Sequence, residues 1–200
     1  MVIGHHLIWT AYGWWLPNDP RGSSSREIRV ERIAELGELH FGRKPVQPSS
    51  RQLQQFFQQA HDLLKHEALE FSAEERAIIG KALGEVIRER GYTCYACAVM
   101  PDHVHVLIRR HRDTAEVMLE LFQEKSREEM ITAGRRVVTH PVWGGPGWKV
   151  FQFNPEDMER TIKYILDNPL KAGLPAQDWP FVTPYDGWMP AYAKRKKRFR

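Results

Sequence analysis

His103 and His105, one residue apart, and Tyr164 further along the chain are the residue types that phosphodiester transesterification requires. On a β-strand, residues i and i+2 point to the same face about 6.6 Å apart. Two imidazoles in His103-Val104-His105 can therefore converge on one metal ion while Val104 turns into the core, with Val106 and Ile108 on its side. The same pattern also serves surface packing. Tyr164 lies in a segment of helical periodicity, where Met158, Ile162, Ile165 and Leu166 define the buried face. Asn168, four residues on, shares a stripe with Tyr164 at the flank of that face. A tyrosine there either packs at a boundary or presents its hydroxyl to a cleft, beside an amide oxygen that can ligate a metal.

The chemistry explains why these types belong together. A free tyrosine has a pKa near 10, so about one in a thousand is phenolate at pH 7. A divalent cation held by imidazoles polarises a phosphate and stabilises the charge that develops as the tyrosine attacks. The covalent phosphotyrosyl intermediate conserves the bond for rejoining. Imidazoles suit Mn²⁺ better than Mg²⁺, which prefers oxygen ligands and retains waters. Lys171 is a candidate general base by its position in the sequence alone.

The elements that must hold these residues follow from patterning. Ile3 to Tyr12 is aromatic and β-branched and reads as a strand, closed by the turn-rich Gly13 to Gly22. Residues 23–50 are polar, with a short helix expected near Val30 to Leu39. Leu53, Phe56, Phe57, Ala60, Leu63 and Leu64 recur at helical spacing and predict a helix to about Leu69. Ser72 and Glu75 form a capping box, and the following helix, with Ile78, Ile79, Ala82, Leu83, Val86 and Ile87 on one face, stops at Gly91. Tyr92 to Val99 and His103 to Arg109 read as a hairpin. Thr114 caps a helix with Val117, Met118, Leu121 and Phe122 facing inward. After a Gly- and Trp-rich loop and a short strand at Lys149 to Phe153, Asn154 and Pro155 start a last helix, expected to bend or stop near Asn168 because Pro169 disfavours helix in the residue before it. This order predicts an α+β fold, a ferredoxin-like antiparallel sheet with helices packed on one face.

Two blocks carry a family resemblance. Met100-Pro101-Asp102-His103-Val104-His105-Val106-Leu107, with Tyr164-Ile165-Leu166-Asp167-Asn168-Pro169-Leu170-Lys171-Ala172-Gly173-Leu174, resembles the REP-associated tyrosine transposases. These belong to the HUH single-strand DNA endonucleases, relatives of the transposases of small hairpin-ended insertion sequences. Tyr12-Gly13-Trp14-Trp15-Leu16-Pro17, followed by Asp19-Pro20-Arg21-Gly22, resembles a subgroup of them. The resemblance implies a ferredoxin-like core, a Mg²⁺ or Mn²⁺ cofactor, and single-stranded DNA with hairpins as partner, REP-like repeats or insertion-sequence ends. It implies His103, His105 and Asn168 as metal ligands and Tyr164 as nucleophile. Insertion-sequence relatives typically carry glutamine where Asn168 stands, so asparagine puts the chain with the REP-associated branch. Monomer and homodimer, with the tyrosine acting in cis or in trans, both remain open. Arg109, Arg110, Arg112 and Lys171 are candidate DNA contacts, against the reading that they are solvated surface.

Composition bounds the rest. At 42% hydrophobic and 27% charged the chain can bury a core, and no apolar run reaches the ~20 residues of a membrane span. The N-terminal residues lack a secretory pattern, so the expected location is cytoplasmic. The net charge of +4 is a local effect: residues 194–200 hold six of the 29 basic residues and no acidic one, which leaves 23 against 25 elsewhere. Arg135-Arg136 and the run at 109–112 therefore carry more weight as phosphate contacts than the overall charge does. Cys94 and Cys97, a lone Cys-x-x-Cys in a strand, read as two small buried side chains rather than a zinc or redox site. The expected organisation is one catalytic domain, residues 1–193, with an insertion at about 23–72 and a basic tail at 194–200. Two alternatives share parts of the pattern. One is a non-catalytic single-stranded nucleic-acid-binding module, with Tyr92 and Tyr95 as stacking candidates. The other is a replication or relaxase-type nickase, which usually sits in a longer chain.

Overall fold

Alternation along one central strand decides the architecture. The computed structural model describes residues 1–191 except 24, 26, 29 and 30. In it β1 (Gly4–Thr10) is flanked by β3 (His103–Arg109) and β4 (Trp148–Gln152), and β2 (Cys94–Val99) completes a sheet of order β2-β3-β1-β4. Every neighbouring pair is antiparallel. The helices are α1 (Glu31–Ala34), α2 (Ser50–Leu63), α3 (Ala73–Arg90), α4 (Ala115–Thr132) and α5 (Pro155–Lys171). The α+β, ferredoxin-like expectation stands. The crossovers β1–α3–β2 and β3–α4–β4 each join parallel strands, and their preferred right hand puts α3 and α4 on the same face.

That face carries the main core. Leu7, Trp9, Val104, Val106 and Ile108 of the sheet pack with Ile79, Leu83 and Val86 of α3 and Met118, Leu119 and Phe122 of α4. The opposite face is not left to solvent, as an arrangement with all helices on one side would leave it. Ile3, Tyr95, Ala98 and Leu107 are buried there under Met158 and Ile165 of α5. The physical reason lies in β2 and β3, whose residues are buried on both faces, so the sheet has a layer on each side. Gly4 allows the close approach: a Cβ built on it would lie 2.6 Å from Met158 Sδ.

Local signals hold at the helix ends. Ser72 and Glu75 form the capping box of α3, and Gly91 ends it at φ 67°. Thr114 and Asn154 cap α4 and α5. Other expectations are corrected. The α2 helix stops at Leu63 because Leu69 and Phe71 are drawn into the main core, their N–H groups donating to the carbonyls of Tyr12 (2.9 Å) and Pro101 (2.7 Å). In α4 the buried stripe is Ala115, Met118, Leu119 and Phe122, whereas Val117 is exposed and Leu121 only half-buried. The short helix expected near 30–39 is the single turn α1.

The α5 helix runs through Pro169 to Lys171 rather than ending near Asn168. Proline removes one N–H, and so close to the C-terminus few helical bonds remain to be lost. On its inner face Pro169 is buried, whereas Leu166 is exposed. Continuity of the helix keeps Asn168 one turn from Tyr164.

A smaller core lies around α2. Phe56, Phe57 and Ala60 of α2 pack with Leu16 and Ile33, and Trp14 joins this cluster to the body, its indole N–H donating to Leu69 O at 2.8 Å. Beyond α5 the chain returns along β2. The Gln177 amide spans the Val99 backbone, accepting from its N–H and donating to its C=O, both at 2.8 Å. The Thr183 N–H donates to Cys94 O at 2.8 Å. These contacts cover an otherwise open sheet edge. Among the described residues no helix is long and apolar enough to cross a membrane. The tail at 194–200 lies outside the described residues.

Candidate active site

The face of β3 opposite the main core carries His103 and His105, because Val104, Val106 and Ile108 take the inward positions. Their rings are 4.8 Å apart and nearly perpendicular. Each Nδ1 is engaged. His103 Nδ1 lies 2.6 Å from Asp102 Oδ1, in the hairpin that Met100 N–H closes by donating to His103 O at 2.7 Å. His105 Nδ1 lies 2.9 Å from Nε2 of His6, on β1. Both imidazoles are thus held from one side, with Nε2 left for another task. A ligating histidine is ordinarily oriented in this way, through its second nitrogen.

Above this pair stands α5. The Tyr164 ring meets His105 edge-on at 5.5 Å and His6 at 6.2 Å between centroids. Tyr164 is 47% exposed, so its ring touches the site while much of it remains open to a large substrate. One turn further, Asn168 Nδ2 is buried without a partner. An unanswered buried polar atom costs about 1–3 kcal/mol. Rotation of the amide by half a turn places the oxygen in the same partnerless position.

The electrostatics favour the neutral form at His6 and His105. Burial pushes His6 down to about 4. Burial, with the charges of His103 and His6, holds His105 well below the usual histidine range. Burial alone would raise Asp102. The hydrogen bond to His103 and the charges of His103 and Arg21 outweigh it, so its carboxyl stays below the usual value. Arg21 is itself anchored by the fully buried Asp19, at 2.9 and 2.7 Å, and lies 4.5 Å from the centroid of the Trp15 ring.

Among the described residues no group of three or more His, Cys, Asp and Glu side chains is arranged to hold a metal ion. Any further donor to join the two histidines would have to be another kind of group, and Asn168, one turn along α5 from Tyr164, carries a partnerless amide. Two imidazole nitrogens and an amide oxygen would suit a borderline ion such as Mn²⁺. The residues fit the implied cofactor.

The other candidates lie elsewhere. Arg109 ends β3, about 20 Å along the strand from His103 at the usual rise per residue, and lies over the Trp188 ring at 5.0 Å. Arg110 is exposed. Arg112 is exposed too and approaches Asp113 at 3.8 Å. Lys171 closes α5 and approaches Asp167 at 3.6 Å. Arg135 and Arg136 pair with Glu74 and Glu75 in the first turn of α3, which gives them a structural role. Cys94 and Cys97 are free and buried. A register shift between Cys94 and Ala96 brings both into the main core, although residues three apart on a regular strand would face opposite ways. Tyr92 and Tyr95 are buried, their hydroxyls donating to Asp113 (2.7 Å) and Asp186 (3.1 Å), so neither is free to stack a base.

Sequence reasoning passed over His6, Asp102 and Arg21. His6 had a signal: with Leu7 and Trp9 turned inward on different parity from His6 and Ile8, His6 had to face the other side of the sheet. Its distance from His105 depends on strand order and register, which periodicity does not contain.

No family model matches the sequence, and no curated protein is similar to it. Two solved structures are similar over most of the chain. One is a REP-associated tyrosine transposase bound to a REP hairpin, at 15% identity and TM-score 0.45, covering 94% of this chain and 92% of that one. The other is a Deinococcus radiodurans R1 protein described as a candidate transposase, at 14% identity and TM-score 0.36, covering 84% of this chain and 91% of that one.

Proposed function

We propose that this chain is a single-strand DNA transposase that cleaves and rejoins hairpin-bearing DNA through Tyr164. The observation that carries the reading is the convergence of Tyr164, on α5, with His105, on β3, within one chain. The two blocks of the family resemblance are far apart in sequence, and their meeting is what a shared active site requires.

In this reading the Tyr164 hydroxyl attacks the scissile phosphorus. As the new O–P bond forms, the phenol loses its proton and the departing 3′ oxygen gains one. The product is a 5′-phosphotyrosyl linkage and a free 3′-hydroxyl. Attack on that linkage by a 3′-hydroxyl reverses the step and joins strands. His103, His105 and Asn168 would hold Mg²⁺ or Mn²⁺, which supplies Lewis-acid polarisation of the phosphate. Asp102 orients His103, and α5, rigid through Pro169, keeps Tyr164 and Asn168 in step. The packing of α5 on its own β2 and β3 supports action in cis, which suits a monomer. One catalytic domain, residues 1–193, would carry the insertion at 23–72 as an accessory cluster. Arg109, at the far end of β3, and Arg110 and Arg112 beyond it would meet DNA away from the scissile phosphate, whereas Lys171, one turn beyond Asn168 on α5, would meet it nearer the site. The buried Tyr92 and Tyr95 weigh against a base-stacking module without chemistry.

Incubation with labelled hairpin DNA and Mn²⁺ should yield a denaturant-resistant protein–DNA adduct, absent with EDTA and absent in Tyr164→Phe. An adduct that persists in Tyr164→Phe refutes the assignment of the nucleophile.

A further inference from the structure

The two histidines of the site are held by partners of different chemistry. His103 has a carboxylate, which when ionised can only accept, so its Nδ1 must carry the proton. His105 has an imidazole, His6 Nε2 at 2.9 Å, and an imidazole nitrogen can accept or donate. One proton lies between these nitrogens, and its position decides what His105 can do. If His105 donates, its Nε2 bears a free lone pair. If His6 donates, a neutral His105 carries its proton on Nε2 and has no lone pair there to offer.

His6 is 5% exposed, on the sheet face that also buries His105 and Leu107 and that α5 covers with the apolar Met158 and Ile165. An apolar side chain would fill this volume at lower cost than a buried imidazole, which must be hydrogen-bonded. Across the β1–β3 pairing Leu107 stands directly opposite His6 and Ile8 opposite His105, so the two imidazoles meet on the diagonal.

We propose that His6 is the positioning residue of His105. Its Nε2 accepts a hydrogen bond from His105 Nδ1–H while its own proton sits on Nδ1, which leaves the lone pair of His105 Nε2 free for a divalent cation. The proposal rests on the metal-site reading above for its purpose, but the tautomer it requires is a property of the metal-free protein. Loss of this partner should weaken the cation site by about 10- to 100-fold, the usual effect of removing a group that orients a ligating histidine. A glutamine at position 6 offers a carbonyl that can accept the same proton, whereas phenylalanine keeps only the ring volume.

Two measurements test this together. Long-range ¹H–¹⁵N NMR of the metal-free wild type should show His105 protonated on Nδ1. Mn²⁺ binding, followed by electron paramagnetic resonance of the free ion, should be lost in His103→Ala, weakened 10- to 100-fold in His6→Phe and largely restored in His6→Gln. A wild-type His105 protonated on Nε2 overturns the proposal whatever the variants do. So does Mn²⁺ affinity in His6→Phe within twofold of wild type while His103→Ala has lost it. If His103→Ala binds as wild type does, the metal-site reading fails instead, and the NMR result alone decides the role of His6.

Discussion

Gly4 offers a way to move Tyr164 without touching the site. It lies on β1 at the end away from His103, paired with Arg109 and Gln152. A Cβ there would sit 2.6 Å from Met158 Sδ, 3.0 Å from its Cε and 3.3 Å from Ile108 O. Met158 ends in a flexible thioether but is 1% exposed, so it yields only by repacking among buried neighbours, and a branched side chain at position 4 is expected to press the N-terminal half of α5 away from the sheet. Overpacking of this kind costs about 1–3 kcal/mol. For a protein of this size each kcal/mol is worth about 2–4 °C, so Gly4→Val should melt about 2–12 °C lower by circular dichroism. Tyr164 is six residues along the same helix from Met158, about 9 Å, and a tilt of α5 carries its ring away from His105. Misplacement by about 1 Å costs on the order of 100-fold in rate, which adduct formation on hairpin DNA would register. Met158→Ala in the same chain opens space for the new side chain and should return part of the adduct rate. Wild-type melting and a wild-type rate in Gly4→Val would refute the close packing of α5 on β1.

Other consequences are as direct. Asp102→Asn removes the charged acceptor of His103 and should weaken Mn²⁺ binding by about 10- to 100-fold, read by titration, and unchanged affinity contradicts its orienting role. Burial pushes the Cys94 thiol up to about 12 and Cys97 well above its usual value, so at pH 8 both should resist iodoacetamide in the folded protein and react in urea. Prompt labelling of the native protein would place them at the surface. Gln177→Ala leaves the Val99 N–H and C=O without their side-chain partner and should cost about 1–3 kcal/mol in urea unfolding; an unchanged midpoint means the C-terminal segment does not hold the β2 edge.

Much of the fold was legible because local rules agreed with the global one. The alternation in His103-Val104-His105-Val106 survives as a sheet with two unlike faces, and the Ser72–Glu75 box starts α3 as read. The misreadings came where a distant partner overrode a local signal. Leu69, to which the helical spacing of α2 was expected to extend, is instead claimed by the main core. Pro169 discourages helix locally, yet it lies buried on the inner face of α5, which runs on through it. One register shift sent both cysteines to the same side. For the candidate site, residue types and their order along the chain were readable, whereas the pairing of a histidine strand with a tyrosine helix came from the family resemblance, and the ring contact of Tyr164 with His105 is what agrees with it. That the site is braced by His6 was not readable, because a 2.9 Å contact between residues 99 apart depends on which strands are neighbours and in what register.

The most direct test of the central claim is to find which atom becomes attached to DNA. Wild-type protein incubated with hairpin-bearing single-stranded DNA and Mn²⁺, then digested and mapped by tandem mass spectrometry, should carry the 5′-phosphate on Tyr164 alone. A phosphate on any other side chain, or cleavage with no covalent protein–DNA species even when the reaction is trapped early, contradicts the account.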